Sequence, residues 1–168
     1  MYEPGTRFVY NNVGPYLAGV LVQRRAGCNL LNYLTPRLFE PLSIRRTVWE
    51  EDPLGYTFGA GGLFLTISEL HKLGVLYLQD GRWDGRQILP KEWIRESSKK
   101  QAENNRNSYG YGYLFWGGDK NSFMANGKYG QYTMVFRDKN AVISLFAESR
   151  KTDELERIII EEVYSKLP

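Results

Sequence analysis

Two short stretches hold side chains whose types and spacing could do chemistry. Tyr10-Asn11-Asn12 places a phenol beside two amides. Ala125-Asn126-Gly127-Lys128-Tyr129-Gly130-Gln131-Tyr132 gathers two amides, a cation and two glycines. A phenol acts as a base only when ionised, and with an ordinary pKa of about 10 it needs a nearby cation. Asn12 can offer its amide to a carbonyl, or it can cap the helix that follows. Asn126-Gly127 between apolar stretches is a strong signal for a two-residue hairpin turn. Gln131 could bond a substrate or face solvent. A third stretch, Gly61-Gly62-Leu63-Phe64-Leu65-Thr66, leads into a helix carrying Glu69 and the single histidine, His71. A lone histidine without local ligands reads as a boundary residue rather than a zinc site.

The elements that must hold these residues follow from periodicity. Val13, Leu17, Val20 and Leu21 recur at helical spacing, with Pro15 tolerated in the first turn and Gly27 as the stop. A second helix is predicted over residues 30–39, with Pro36 as a kink or boundary. Residues 41–65 read as a long irregular stretch of the kind that is often functional. Thr66-Ile67-Ser68-Glu69 is a capping-box pattern and predicts a helix over 67–79, closed by Gly81. Pro90 opens a short helix to about residue 100. From Tyr109 the period changes: residues 111–116, 132–136 and 141–147 read as strands, the last two joined by Arg137-Asp138-Lys139-Asn140. Leu155, Ile158, Ile159 and Val163 make a final amphipathic helix. Helices, an antiparallel meander and a C-terminal helix predict an α+β fold.

The 168 residues suffice for one core. Hydrophobic residues at 42% and charged residues at 24% exclude a disordered chain. A net charge of +3 is too small and mixed to argue for nucleic acid. No apolar run reaches the ~20 residues of a membrane span. A single cysteine, Cys28, permits no internal disulfide. Nothing calls for a cofactor or a metal.

The order of these motifs resembles the serine β-lactamase-like family, which includes class C β-lactamases, penicillin-binding proteins, and related esterases and amide hydrolases. Tyr10-Asn11-Asn12 resembles its Tyr-x-Asn motif, with Pro4-Gly5 as the lead-in. Residues 81–93 resemble its connector after a helix. Ala125-Asn126-Gly127 falls where the family has Lys-Thr-Gly or His-x-Gly, and Gly130-Gln131 resembles its esterase and amide-hydrolase branches. The resemblance implies the C-terminal half of the β-lactamase/transpeptidase-like fold: one partial domain over residues 1–168, helical and looped to residue 108, then strands and a terminal helix. It implies Tyr10 as the catalytic base, with Asn12, Asn126, Gly127, Lys128 and Gln131 contacting substrate. There 125–127 would be an edge strand, and the N–H of Lys128 an oxyanion donor. Ala125 lacks the expected cation, which tilts the substrate from penicillins toward neutral esters or amides.

The family's Ser-x-x-Lys nucleophile motif lies upstream of Tyr-x-Asn, where only nine residues are present. Ser97-Ser98-Lys99-Lys100 has that spacing but falls at the end of a predicted helix, the wrong pole for an oxyanion. The expectation is therefore a serine-hydrolase portion that is inactive alone. The alternative is a non-catalytic ligand-binding or complementing module that assembles with a nucleophile-bearing chain. Implied partners are a small ester, amide or β-lactam, and an N-terminal half or a second copy. Neither a nucleic acid nor a membrane span is expected.

Overall fold

The structure, a computed structural model, describes residue 3 and residues 5–168. Pro4 of the expected Pro-Gly lead-in lies outside the described residues. The chain forms two compact bodies: Val9–Glu69, and Met1–Phe8 together with Leu70–Pro168. Among the described residues, no helix is long and apolar enough to cross a membrane.

In the first body, α1 (Val13–Ala26) ends on Gly27, whose φ of 69° lets its N–H reach the Gln23 carbonyl at 2.9 Å. The inward side of α1 is Gly19, Val20 and Gln23. Gln23 is buried but satisfied: its Oε1 accepts from the Thr57 N–H at 2.8 Å, and its Nε2 donates to the Gly19 and Thr57 carbonyls. The Thr57 hydroxyl accepts in turn from the Leu30 N–H at 3.2 Å. This two-way bond draws the 50–60 loop so near α1 that a Cβ on Gly59 would lie 3.1 Å from the Pro15 carbonyl oxygen. α2 (Leu30–Leu34) starts where the Asn29 side chain accepts from the Asn32 N–H. The helix expected over 30–39 does continue through Pro36. Its second half, Thr35–Phe39, is a wider π turn, as befits a proline that lacks an N–H for the regular ladder. The stretch read as irregular contains a short antiparallel pair, β1 (Val48–Trp49) with β2 (Leu63–Phe64). Two residues per strand give no alternation to read.

α3 (Ile67–Leu78) begins with the predicted capping box. Glu69 Oε2 accepts from the Thr66 N–H at 2.8 Å, and the Glu69 N–H donates to Thr66 Oγ1 at 3.3 Å. In the second body β3 (Arg82–Trp83) and β4 (Arg86–Gln87) form a hairpin over Asp84-Gly85, both with positive φ. α4 (Lys91–Ser98) follows.

The expected strand over 111–116 is corrected. Only Trp116–Gly117 (β5) is a strand; Tyr111 makes single bridges to Ala102 and Trp116. Between them the chain turns tightly, Leu114 at φ 67° and the Gly112 N–H bonded to the Phe115 carbonyl at 2.8 Å. The remaining strands, β6 (Phe123–Gly127), β7 (Gln131–Phe136) and β8 (Ala141–Phe146), complete a four-stranded antiparallel meander in chain order. β7 is buried on both faces from Tyr132 to Phe136. One face packs Tyr132, Met134 and Phe136 against Ile159 and Tyr164 of the C-terminal segment. The other meets α3, where a Cβ on Gly74 would lie 2.5 Å from Thr133 and 2.6 Å from Val142. The terminal helix is α5 (Thr152–Ile158), which loosens into a π turn over Ile159–Val163 and a 3-10 turn over Tyr164–Lys166. This is the expected α+β architecture, meander and terminal helix included.

Asp52 organises the 52–56 turn of the first body. Its Oδ1 accepts from the Leu54 and Tyr56 N–H groups, and its Oδ2 from the Tyr16 hydroxyl. The Tyr16 bond, aided by the backbone N–H groups, holds the Asp52 carboxyl below its ordinary pKa. A depressed carboxyl contributes stability above its unfolded pKa and loses it as pH falls toward the folded one. Asp52→Asn is expected to unfold more readily than the parent at pH 7, the gap closing below about pH 4. Thermal unfolding across pH 3–7 reads this; parallel curves would show that Asp52 contributes nothing through its charge.

Candidate functional site

Tyr10 and Asn12 stand in the first body; Asn126, Gly127, Lys128 and Gln131 stand in the second. Tyr10 is 52% exposed at the mouth of α1. The helix is capped by Asn11 and not by Asn12: Asn11 Oδ1 accepts from the Gly14 N–H at 2.9 Å, while its Nδ2 donates to the Val9 carbonyl at 3.0 Å. Asn12 lies at the N-cap position with φ −94° and ψ −9° and makes no side-chain cap bond. The capping alternative for Asn12 thus passes to its neighbour, because the extended N-cap conformation that aims a side chain back at the helix is absent at Asn12.

The two-residue-turn alternative for Asn126-Gly127 is overturned. Both residues end β6, Asn126 opposite Tyr132 and Gly127 opposite Gln131. The turn is Lys128-Tyr129-Gly130, with φ of 66° at Tyr129 and 95° at Gly130. Ala147 and Ser149 donate their N–H groups to the Gly130 and Tyr129 carbonyls at 3.1 and 2.9 Å. β5 pairs β6 only at Phe123 and Met124, so among the described residues β6 has from Ala125 onward a ladder partner on the β7 side alone. Strand alternation puts Asn126 on the face of Met124, Tyr132 and Met134, and Gly127 with Gln131 on the opposite face. Gln131 lies over Gly127: a Cβ there would come within 2.6 Å of Gln131 Oε1. The Lys128 ammonium sits 4.7 Å from the Tyr129 ring centre, a cation–π contact at the turn surface.

Asn126 carries the unusual feature. Its Nδ2 is buried and has no hydrogen-bond partner among the described residues. A buried amide donor without an acceptor costs about 1–3 kcal/mol, so such groups are rare outside functional positions. Sequence reading singled out the residue but had no signal for this, since burial is a property of the packed sheet.

His71 Nδ1 lies 3.1 Å from Ser144 Oγ, which lies 3.2 Å from Thr133 Oγ1, a short polar chain between α3 and the sheet. Among the described residues no group of His, Cys, Asp or Glu is placed to hold a metal ion. Ser97 is buried at the last turn of α4, its hydroxyl directed at the Ile94 carbonyl at 3.4 Å. Lys99 and Lys100 point outward to Glu96 and Glu103 at 2.7 and 2.6 Å.

The sequence profile of the Beta-lactamase family matches residues 1–163. The chain belongs to the Beta-lactamase family. Solved structures agree on the fold of this family chain. A Bacillus anthracis protein, described provisionally as a 6-aminohexanoate-dimer hydrolase, superposes with TM-score 0.84 at 22% identity, over 100% of this chain and 47% of that one. An octameric penicillin-binding protein homologue from Pyrococcus abyssi gives 0.73 at 18% identity, over 99% and 44%. A beta-lactamase from Mycobacterium bovis gives 0.74 at 19% identity, over 95% and 66%. The family chain thus spans about half to two-thirds of the length of these structures. No curated protein matches it significantly.

Two substitutions test the hairpin. Gly130→Ala forces a side chain into positive φ, with its Cβ 2.6 Å from Leu155 Cδ1. It is expected to lower stability by about 2 kcal/mol or more; urea unfolding reads this. Asn126→Leu removes the unanswered donor at similar volume. It is expected to leave stability unchanged or to raise it by about 1 kcal/mol, and a loss above ~2 kcal/mol in the same assay would show that the amide is satisfied.

Proposed function

We propose that this chain is the C-terminal portion of a β-lactamase-like serine hydrolase that transfers an acyl group from an ester, amide or β-lactam. Tyr10 is the catalytic base. Asn12, Asn126, Gly127, Lys128 and Gln131 contact substrate. The observation that carries the reading is β6, which from Ala125 to Gly127 pairs with β7 alone among the described strands, so that its other edge is open to the backbone of a substrate. The N–H of Lys128 serves as an oxyanion donor. Ala125 leaves the strand without the cation that a substrate carboxylate would seek, which favours neutral esters and amides. The 6-aminohexanoate-dimer description of the Bacillus anthracis structure is in keeping with an amide.

The serine nucleophile and its lysine belong to a Ser-x-x-Lys segment outside these residues, and Ser97 is not a substitute. The isolated chain is expected to hydrolyse neither nitrocefin nor p-nitrophenyl esters above background. Supplied with a Ser-x-x-Lys-bearing portion of the same fold, it is expected to turn over a p-nitrophenyl ester. Tyr10→Phe should then lower kcat about 100-fold or more, and Ser97→Ala should leave it unchanged. Turnover by the isolated chain that Ser97→Ala abolishes would overturn the reading, as would a reconstituted enzyme indifferent to Tyr10→Phe. The DNA upstream of the Met1 codon offers the first check: an in-frame Ser-x-x-Lys there supplies the nucleophile.

One observation favours the second reading, a module that complements a separate nucleophile-bearing chain. Val13, Leu17 and Leu21, on one stripe of α1, are 62%, 52% and 69% exposed. An apolar stripe of this kind marks an association surface. A clean monomer by size exclusion with light scattering would count against it.

A further inference from the structure

A cavity of about 670 Å³ opens within the second body between the end of α4 and the β5–β6 turn. It lies at the Phe123 end of β6, roughly 10 Å along the strand from Asn126. Four cations line it, Arg95, Lys99, Lys100 and Arg137, and no described carboxylate does. Lys99 and Lys100 are each paired with an outward glutamate. Neither Arg95 nor Arg137 has a carboxylate within ion-pair distance among the described residues. Asp80, which feels both charges, is bonded to Lys91 at 2.6 Å. Arg137 is held in place, its guanidinium 4.9 Å from the Phe123 ring centre and its Nη2 3.4 Å from Ser98 Oγ. A guanidinium has five donors, so most of its valence stays available.

The floor adds a group of another kind. Ser122 is only 6% exposed, and its Oγ has no hydrogen-bond partner among the described residues. The hydroxyl lies directly beneath Gly118, in the space a Cβ on that residue would occupy. Gly112 and Gly117 likewise leave no room for a Cβ, against the backbone oxygens of Ser97 and Tyr109, so backbone forms much of the wall. The C-terminal pole of α4 disfavours an anion, but as about half a charge it is outweighed by the two guanidinium groups here, unpaired among the described residues. Offsetting that pole accounts for Arg95 and Lys99. It does not account for Arg137, which comes from the β7–β8 turn, or for a buried hydroxyl lacking an acceptor.

We propose that this cavity binds a phosphorylated small molecule, Arg95 and Arg137 gripping the phosphoryl oxygens and Ser122 donating its hydroxyl to the ligand. Guanidinium groups match the planar pairs of oxygens that a phosphoryl group presents, and paired arginines favour a doubly charged anion over a single carboxylate. The volume exceeds that of a phosphate and leaves space for the body of the molecule beside Tyr109. The site is separate from the proposed acyl-transfer residues and does not depend on them.

Pyrophosphate is the probe. Titrated calorimetrically into the 168-residue chain at fixed ionic strength, it is expected to bind saturably, one per chain. The Arg95→Gln/Arg137→Gln pair should weaken binding about tenfold or more, and Ser122→Ala several-fold. Lys166→Gln, an exposed cation paired with Glu162, should change nothing. Both arginines are exposed, so the fold should survive their replacement. Should the pair disturb the sheet, amide shift changes in the unsubstituted chain decide: changes centred on residues 95–100 and 117–123 support the site, and changes elsewhere overturn it. No heat beyond that of matched sodium chloride, or equal binding by the arginine pair variant, would also overturn it.

Discussion

Burial of β7 on both faces is the constraint on which the second body depends. A one-residue slip exchanges the two faces of a strand; β7 resists it, because Tyr132, Met134 and Phe136 fill one core while Thr133 and Val135, of different size and shape, fill another. Its register fixes β6 and β8 with it. Gly74 sharpens this by letting α3 lie against Thr133 and Val142 with no side chain between. The register then decides which residues of β6 face which way. Asn126 faces the aromatic core and Gly127 pairs with Gln131 because Met124 must meet Met134. The candidate site follows from packing several residues away.

The first body rests on a smaller device. Gln23 and Thr57 exchange hydrogen bonds in a buried place where either alone would be an unanswered polar group. The 50–60 loop is long and has little ladder of its own, so this exchange and the Asp52 turn supply the order that strands would otherwise provide. The two bodies thus use opposite means: extended apolar pairing in one, a few directional polar bonds in the other. The second kind is more sensitive to single substitutions and, through Asp52, to pH.

Much of the fold was legible because its signals are local. The Thr66–Glu69 box, Gly27 after α1, and the four-residue turn between β7 and β8 each state their role within a few positions. The 111–116 stretch misled because aromatic residues at alternating positions satisfy a strand pattern, yet Gly112 and Leu114 fold it into a turn that packs the Tyr111 ring on Phe8 and Trp116, Tyr113 on Trp93, and Phe115 on Tyr77 and Phe123. The Asp84-Gly85 hairpin was written in its turn residues but read only as a connector. At the site, residue types and order were legible and pointed to the right family. Which of Asn11 and Asn12 caps α1 was not, since adjacent asparagines differ only in backbone angle. The unanswered amide of Asn126 and the hydroxyl of Ser122 were invisible for a deeper reason: solvation is set by what packs around an atom, and no spacing rule encodes it.

The wet apolar stripe of α1 has a consequence for the life of the protein in a cell. Val13, Leu17 and Leu21 form the sort of surface that chaperones and quality-control proteases read as unfinished folding. Any form of the protein that displays the stripe uncovered is therefore a target for such triage, and covering it is a protection as well as a contact.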